Sequence, residues 1–418
     1  MGFQQGLSGL NAASVQLDTI GNNVANANTV GFKSSRTEFA DLYGNSLYGI
    51  TATTPGIGTQ VQAVTQNMGN GNLDSTGRSL DLAINNAGFF IMGLPNGTQA
   101  YTRNGQFQVN SQGYLVNTAG NFVQGWTANS SGSVSQGPVG NLQLTTTSIA
   151  PHATTKLSMP VQLNSNQKTP TGVPINNPAD PTSYNWPNTV QVFDSLGNPH
   201  QMVFYYSLTA SAPAGNTWTV NAYVDGKPTT TSAGGATNFT LNFDTSGNLT
   251  PLPFTPVPIK FTTAPVNGSA IPQTVTVDFT NSVQNNQQFG TLSPQIQDGT
   301  APGTLQGVNI SANGLIQASF SNSQTKTIGQ IALATFVNPQ GMQDIGGNMW
   351  SQTGNSGSPT VNNPGAGNAG TLSSGQVEDS NVNLTNELVN MITAQRYYQA
   401  NAQTIKTQDT LIQTLLNI

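Results

Sequence analysis

Apolar positions at both ends of the chain recur on alternating steps of four and three. Near the start, Phe3, Leu7, Leu10, Ser14, Leu17, Gly21 and Val24 follow this spacing, which is that of one helix seam. Toward the end, Leu384, Leu388, Met391, Gln395, Tyr398, Ala402, Ile405, Asp409, Ile412 and Leu416 repeat it for about five heptads, with Glu387 placed early where a helix dipole favours an acid. Neither run has a globular stretch beside it, so each seam needs a partner from the other terminus or from another subunit. Between the ends the period falls to two. Residues 100–126 set Tyr101, Phe107, Val109, Tyr114, Val116, Phe122 and Val123 in short runs cut by Asn-Gly, Gln-Gly and Ala-Gly, which predicts successive hairpins. Segments 190–210 and 239–254 read the same way. The proline and glycine clusters of 169–187 suit a β-domain with long surface loops, and the Gly-rich run 351–375 reads as a linker into the C-terminal helix.

The first helical run stops at an asparagine-rich stretch that carries Asn22, Asn23, Asn26 and Asn28 just before Gly31 and Phe32. Asparagine tolerates left-handed backbone and hydrogen-bonds its own main chain, while Gly31 adds freedom, so the pattern predicts that the chain reverses here.

Composition narrows the function. Charged residues make only 6% of the chain, against roughly 25% in ordinary soluble proteins, and neutral Asn, Gln, Ser and Thr replace them. A charge is costly once desolvated, so this surface is suited to being covered by other protein. Hydrophobic residues at 35% suffice for cores. The net charge of -5 with few basic residues removes the footprint that nucleic acid requires. No apolar run is long enough to suggest membrane insertion, and the N-terminus lacks the basic and apolar regions of a cleaved signal peptide. With no cysteine, disulfides, thiolate metal sites and a cysteine nucleophile are excluded.

Candidate chemistry is sparse. His152 and His200 have no Cys, His or Glu at ligand spacing and read as surface histidines. The stretches 194–198 and 244–248 resemble calcium loops, yet each offers a single carboxylate and reads as a turn. Asp74, Arg78, Asp81 and Arg103 could contain one structural ion pair, but nothing pairs two carboxylates for acid–base work. Neither a dinucleotide fingerprint nor a phosphate loop occurs. The expectation is a protein that is not an enzyme, with no catalytic residue, cofactor or metal.

Residues 22–33, NNVANANTVGFK, match the pattern of the bacterial flagellar rod, hook and hook-associated axial proteins, and 380–418 is similar to their C-terminal signature. Residues 79–92 and the hairpin runs after them look like the β-domain shared in this family, and 297–325 with 329–350 resemble its hook members in particular. The resemblance implies an α+β multidomain fold. In it, 1–30 and 377–418 pair as an inner coiled-coil layer, 31–70 with 355–376 form an extended bridge, 71–149 with 287–354 an inner β-domain, and 150–286 an inserted outer β-domain. On that reading Phe3, Leu7, Leu10, Leu17 and Val24 face the seam of Leu384, Leu388, Met391, Tyr398, Ala402, Ile405, Ile412 and Leu416. The implied role is a structural subunit that polymerises into a curved hollow tube, a universal joint carrying torque from rod to filament around an export channel. Implied partners are further copies of the chain, the distal rod protein, the hook cap, the hook–filament junction proteins and the export apparatus. The implied place is the extracellular flagellum at its basal body, reached without a cleaved signal. A distal rod or junction protein of the same family, or a secreted β-rich adhesin, are the competing readings.

Overall fold

A computed structural model describes residues 2–42, 56–129, 131–144, 148–212, 215–231, 235–262 and 268–416. Both terminal periodicities form helices, α1 over Gly2–Ala25 and α2 over Leu384–Leu416. After α1 the chain runs through β1 (Ser35–Leu42), which pairs antiparallel with β2 (Gly58–Gln66), the register shifting between Glu38 and Phe39. This pair lies against α1, and at Gly58 the approach is so close that a Cβ would overlap the Ser8 hydroxyl. No helix among the described residues is long and apolar enough to cross a membrane.

The chain divides into two compact units: Met1–Thr145 with Gln306–Ser319 and Thr325–Ile418, and Thr146–Leu305 with Phe320–Gln324. In the first, the strand Phe89–Gly93 pairs with Gln99–Thr102, Phe122–Thr127 and Leu333–Thr335. Successive side chains of a strand point to opposite faces. Phe90 and Met92 therefore enter a core with Leu115, Val123 and Leu333, while Phe89 and Ile91 enter another with Tyr101, Trp126 and Trp350. A strand buried on both faces needs an unbroken apolar run, and 89–92 supplies one. The expected hairpins are present, Phe107–Val109 pairing with Leu115–Asn117. Asn110 closes that turn by accepting from the amides of Gln112 and Tyr114, and Gly113 takes φ +82. The same device recurs at Asn117, Asp194 and Asp244, so the stretches 194–198 and 244–248 use their carboxylates on their own backbone.

The Gly-rich run 351–375 departs from the linker expected of it. Thr360–Asn362 pairs with Leu333–Thr335, and Thr371–Ser374 pairs with Leu82–Asn85. Leu372 is buried, and a Cβ at Gly370 would collide with the Asn85 carbonyl. Here glycine permits close backbone approach, a role that composition does not distinguish from flexibility.

The second unit packs two sheets on one core. Trp186–Phe193, Pro199–Ala212, Gly215–Val224 and Asn238–Phe243 form one. Val257–Phe261, Gln273–Asp278, Lys156–Ser158 and Ile296–Gln297 form the other. Val192, Phe204, Trp218 and Leu241 meet Leu157, Ile259, Val275 and Val277 between them. Residues 287–305 belong to this unit, because Gly290–Thr291 pairs with Val161–Asn164 and Ile296–Gln297 with Lys156–Ser158. His152 is exposed, but His200 is not a surface histidine. Its ring is buried with Nδ1 2.6 Å from Asp225 and Nε2 3.4 Å from Asp194. Asp225 reaches it across an antiparallel strand pair, where spacing in sequence gives no sign of it.

Tyr206 in this core stacks on Trp186, and its hydroxyl has no hydrogen-bond partner among the described residues. Burial raises its phenol well above the usual 10.0. A raised folded value means that this contribution to stability is fully present below pH 10.0 and is lost as pH climbs through the folded value, because the unfolded chain releases the proton first. The second unit should lose up to about 1.4 kcal/mol per pH unit from this group. Tyr206→Phe should melt no lower than wild type at neutral pH, since it removes a buried hydroxyl without a partner among the described residues, and should hold its stability better above pH 10; equal alkaline losses in the two proteins would reject the assignment.

Candidate assembly site

The asparagine-rich reversal positions everything that follows it. At the end of α1, Asn26 donates from its backbone to the Asn22 carbonyl at 3.1 Å and from its side chain to the same carbonyl at 3.0 Å, which satisfies one of the last four acceptors of the helix twice. Thr29 then donates to Asn26 Oδ1. Asn23 is buried and behaves like a strand residue: its Oδ1 accepts from the Ser35 amide and its Nδ2 donates to the Ser35 carbonyl, both at 2.8 Å. The side chain thereby fixes where β1 starts relative to α1. Asn22 and Asn28 are exposed, and Phe32 is half-buried. Gly31 is required twice, by φ +71 and because a Cβ would stand 2.7 Å from the Asn104 amide nitrogen.

Behind the reversal lies a charge cluster. Lys33 Nζ donates to Glu378 Oε1 at 2.6 Å and to the Gly69 carbonyl at 2.8 Å, and Arg103 Nη1 donates to Glu378 Oε2 at 3.0 Å. The Gly71 amide also donates to Glu378, and the Gly31 amide donates to the Glu378 carbonyl. Lys33 and Glu378 have no exposed side-chain surface, and Arg103 is nearly as deep, its guanidinium over the Phe89 ring. Burial lowers the pKa of both cations from their ordinary values, against the pull of Glu378. Two cations share one carboxylate, and the cluster ties the segment after α1 to the segment before α2. Arg103 thus pairs outside its expected group of four. Within that group Arg78 and Asp81 form the expected ion pair, at 3.8 Å and without a hydrogen bond, and Asp74 lies in a strand paired with Gln376–Glu378.

Asn381 continues the tie, accepting from the Ser34 amide and donating to the Asn67 carbonyl, and the Asn383 side chain caps α2 by accepting from the Asn386 amide. The two helices then run antiparallel. Gly6 faces Ile405, Gly9 faces Asn401, and Asn23 Nδ2 reaches Glu387 at 3.4 Å. Burial raises the Glu387 carboxyl, and the Asn23 hydrogen bond opposes this.

The seam within the chain is not the one expected. On α1 the buried or half-buried positions that follow the alternation are Gly6, Gly9, Ala13, Gln16, Ile20 and Asn23, each one residue before a member of the expected stripe. One residue turns a helix by about 100°. Phe3 and Leu7 are therefore exposed, Phe3 by 47%, and Leu10, Leu17 and Val24 are half-buried. On α2 the seam keeps Met391 and Ile405 with the edge of Tyr398, and adds Glu387, Ala394 and Asn401. Ala402 flanks it half-buried, Leu384, Leu388 and Ile412 are exposed, and the side chain of Leu416 is outside the described residues. The reason is size. At Gly9 a Cβ would stand 2.6 Å from Asn401 Oδ1, so the backbones approach through small residues and leave the large apolar ones outside. A heptad reading selects the largest apolar residues and so finds the face that this pairing leaves open.

Family models match along the chain. They are described as "Flagella basal body rod protein" over residues 3–33, "Flagellar hook protein FlgE/F/G D1 domain" over 83–172, "Flagellar basal body protein FlaE D2 domain" over 162–300 and "Flagellar basal body rod FlgEFG protein C-terminal" over 373–418. The chain is 40% identical over 421 residues to the flagellar hook protein FlgE of Escherichia coli, with 100% of each chain covered. It is 39% identical over 420 residues to that of Salmonella typhimurium, again with 100% of each covered. With the same protein of Borreliella burgdorferi the identity is 31% over 452 residues, covering 99% of this chain and 98% of the other. A crystal structure of Helicobacter pylori flagellar hook protein FlgE2 matches with a TM-score of 0.50 at 16% identity, over 72% of this chain and 98% of that one, a likeness of fold.

Proposed function

Because the chain belongs to the flagellar hook protein family, we propose that it polymerises through the apolar faces of α1 and α2 into a curved hollow tube that carries torque from rod to filament. It is a structural subunit of the bacterial flagellar hook. The observation that supports the polymer is the uncovered apolar face carrying Phe3 and Leu7 on α1 and Leu384 and Leu388 on α2, beside the seam of the helix pair. Burying one such side chain is worth about 1.5–3 kcal/mol, and a stripe of this length calls for a protein partner. Copies of the chain supply it, the helices lining an export channel and the β-rich units forming the shell.

The distal rod protein, hook cap, hook–filament junction proteins and export apparatus are the further partners of this reading. It includes neither a catalytic nor a cofactor role. Export without cleavage of a signal peptide belongs to the same reading. A rod or junction subunit would share the ends, but the match to hook relatives runs along the whole chain. Electron microscopy of the purified chain after salt-induced assembly tests the proposal: curved hollow tubes are expected, and straight rods or no assembly would reject it.

A further inference from the structure

The terminal helices carry five charged side chains, Asp18 on α1 and Glu387, Arg396, Lys406 and Asp409 on α2. None of them forms an ion pair among the described residues. On surfaces that become covered by protein, an unpaired charge costs several kcal/mol, so these groups need partners in the assembly or access to water.

Glu387 already occupies a recess. A cleft of about 450 Å³ opens between α1, β1, β2 and α2, lined by Gln16, Thr19, Ser34, Glu38, Glu387 and Asn390 among others. Its walls are rich in oxygen acceptors. Arg36 also lines the cleft but is taken by Glu38 at 3.0 Å, while among the described residues the Glu387 carboxyl has only the 3.4 Å contact with Asn23. Arg396 is exposed. It stands two positions from the buried Ala394, about 200° around the helix, and so projects from the side of α2 opposite α1.

Glu387 and Arg396 are nine positions apart on one helix, a rise of about 13.5 Å and a rotation of about 900°, or half a turn. Donor and acceptor thus lie on opposite faces of the same element. They cannot meet within one helix, nor does such a pair form a closed two-fold contact simply by matching a patch to itself. Complementary patches on opposite faces make a head-to-tail contact, which repeats from copy to copy. We propose that Arg396 of each copy enters the Glu387 cleft of the next, and that this ion pair sets the register between neighbouring subunits. The guanidinium brings several donors to a cleft that holds carboxylate, hydroxyl and amide oxygens. Lys406, one position beyond the seam residue Ile405, lies at the flank of the helix pair and does not share this geometry.

This inference rests on the hook-polymer reading, so wild-type chain assembled in parallel separates the two: if wild type forms no tubes, that reading fails first. Given wild-type tubes, Glu387→Arg and Arg396→Glu should each raise the critical concentration for assembly by about tenfold or more, the equivalent of losing about 1.4 kcal/mol, whereas Lys406→Glu should assemble nearly as wild type. The double variant E387R/R396E should recover. A mixture of the two single variants should assemble where neither does alone, because each supplies what the other lacks. Thermal melting of each free subunit would show that the β-rich units are intact. Single variants that assemble like wild type, or a folded double variant that fails to recover, would overturn the pairing.

Discussion

Glu378→Gln should destabilise the first unit by about 3–5 kcal/mol, the usual cost of breaking a buried pair from one side. The change removes the carboxylate that Lys33 meets at 2.6 Å and Arg103 at 3.0 Å, leaving two cations side by side with no exposed surface on Lys33 and almost none on Arg103. The lowered pKa values of both cations show the direction of that cost even with Glu378 present. Lys33→Met should be far milder, at about 1 kcal/mol for its lost hydrogen bonds, because Arg103 and Glu378 remain as a balanced pair. The second unit lacks these residues and should melt unchanged in both variants. Differential scanning calorimetry, which resolves two transitions if the units unfold separately, supplies the measurement. Equal losses in the two variants would show that the cluster acts through hydrogen bonds alone and not through its surplus positive charge.

Periodicity located both terminal helices and the hairpins of 100–126 because each is set by a local repeat, and local repeats are visible in a single chain. The asparagines of 22–28 were legible as a stop for the same reason: Asn26 bonds four residues back. The further role of Asn23, which pairs with Ser35 as a strand would, depends on where the chain goes after Gly31. Glu378 was hidden by distance, since it meets Lys33 across 345 positions. Scarcity of charge was the available signal: in a chain with 11 basic and 16 acidic residues, a lysine closing the asparagine motif warranted a search for its acid. The Gly-rich run misled because glycine serves close backbone approach as readily as freedom, and only pairing with Leu82–Asn85 separates the two. On α1 the seam was displaced by one residue, and on α2 it gained Glu387, Ala394 and Asn401, for a related reason. Apolar periodicity reports every face that becomes buried, including faces buried by other copies, whereas the glycines of the seam within the chain contribute no apolar signal at all.

That displacement yields a test that separates the two faces of α2. Ala394 is fully buried in the free chain and Leu388 is 44% exposed, so one residue belongs to the seam within the chain and the other to the face left open. Ala394→Glu should place an unpaired carboxylate against α1 at a cost of several kcal/mol, opening the helix pair in the free subunit. Its far-ultraviolet helical signal should fall and its terminal amides should lose protection from hydrogen exchange, while the β-rich cores melt as in wild type. Leu388→Glu should leave the free subunit unchanged by those same measures, because its side chain already meets water. Both variants should fail to form tubes. For Leu388→Glu the loss combines about 1.5–3 kcal/mol of forfeited burial with the cost of covering a charge, and it recurs at every copy of the contact. Tubes formed by Leu388→Glu would show that the exposed stripe is not the contact between copies, and a free subunit undisturbed by Ala394→Glu would show that the helices do not pair within the chain before they assemble.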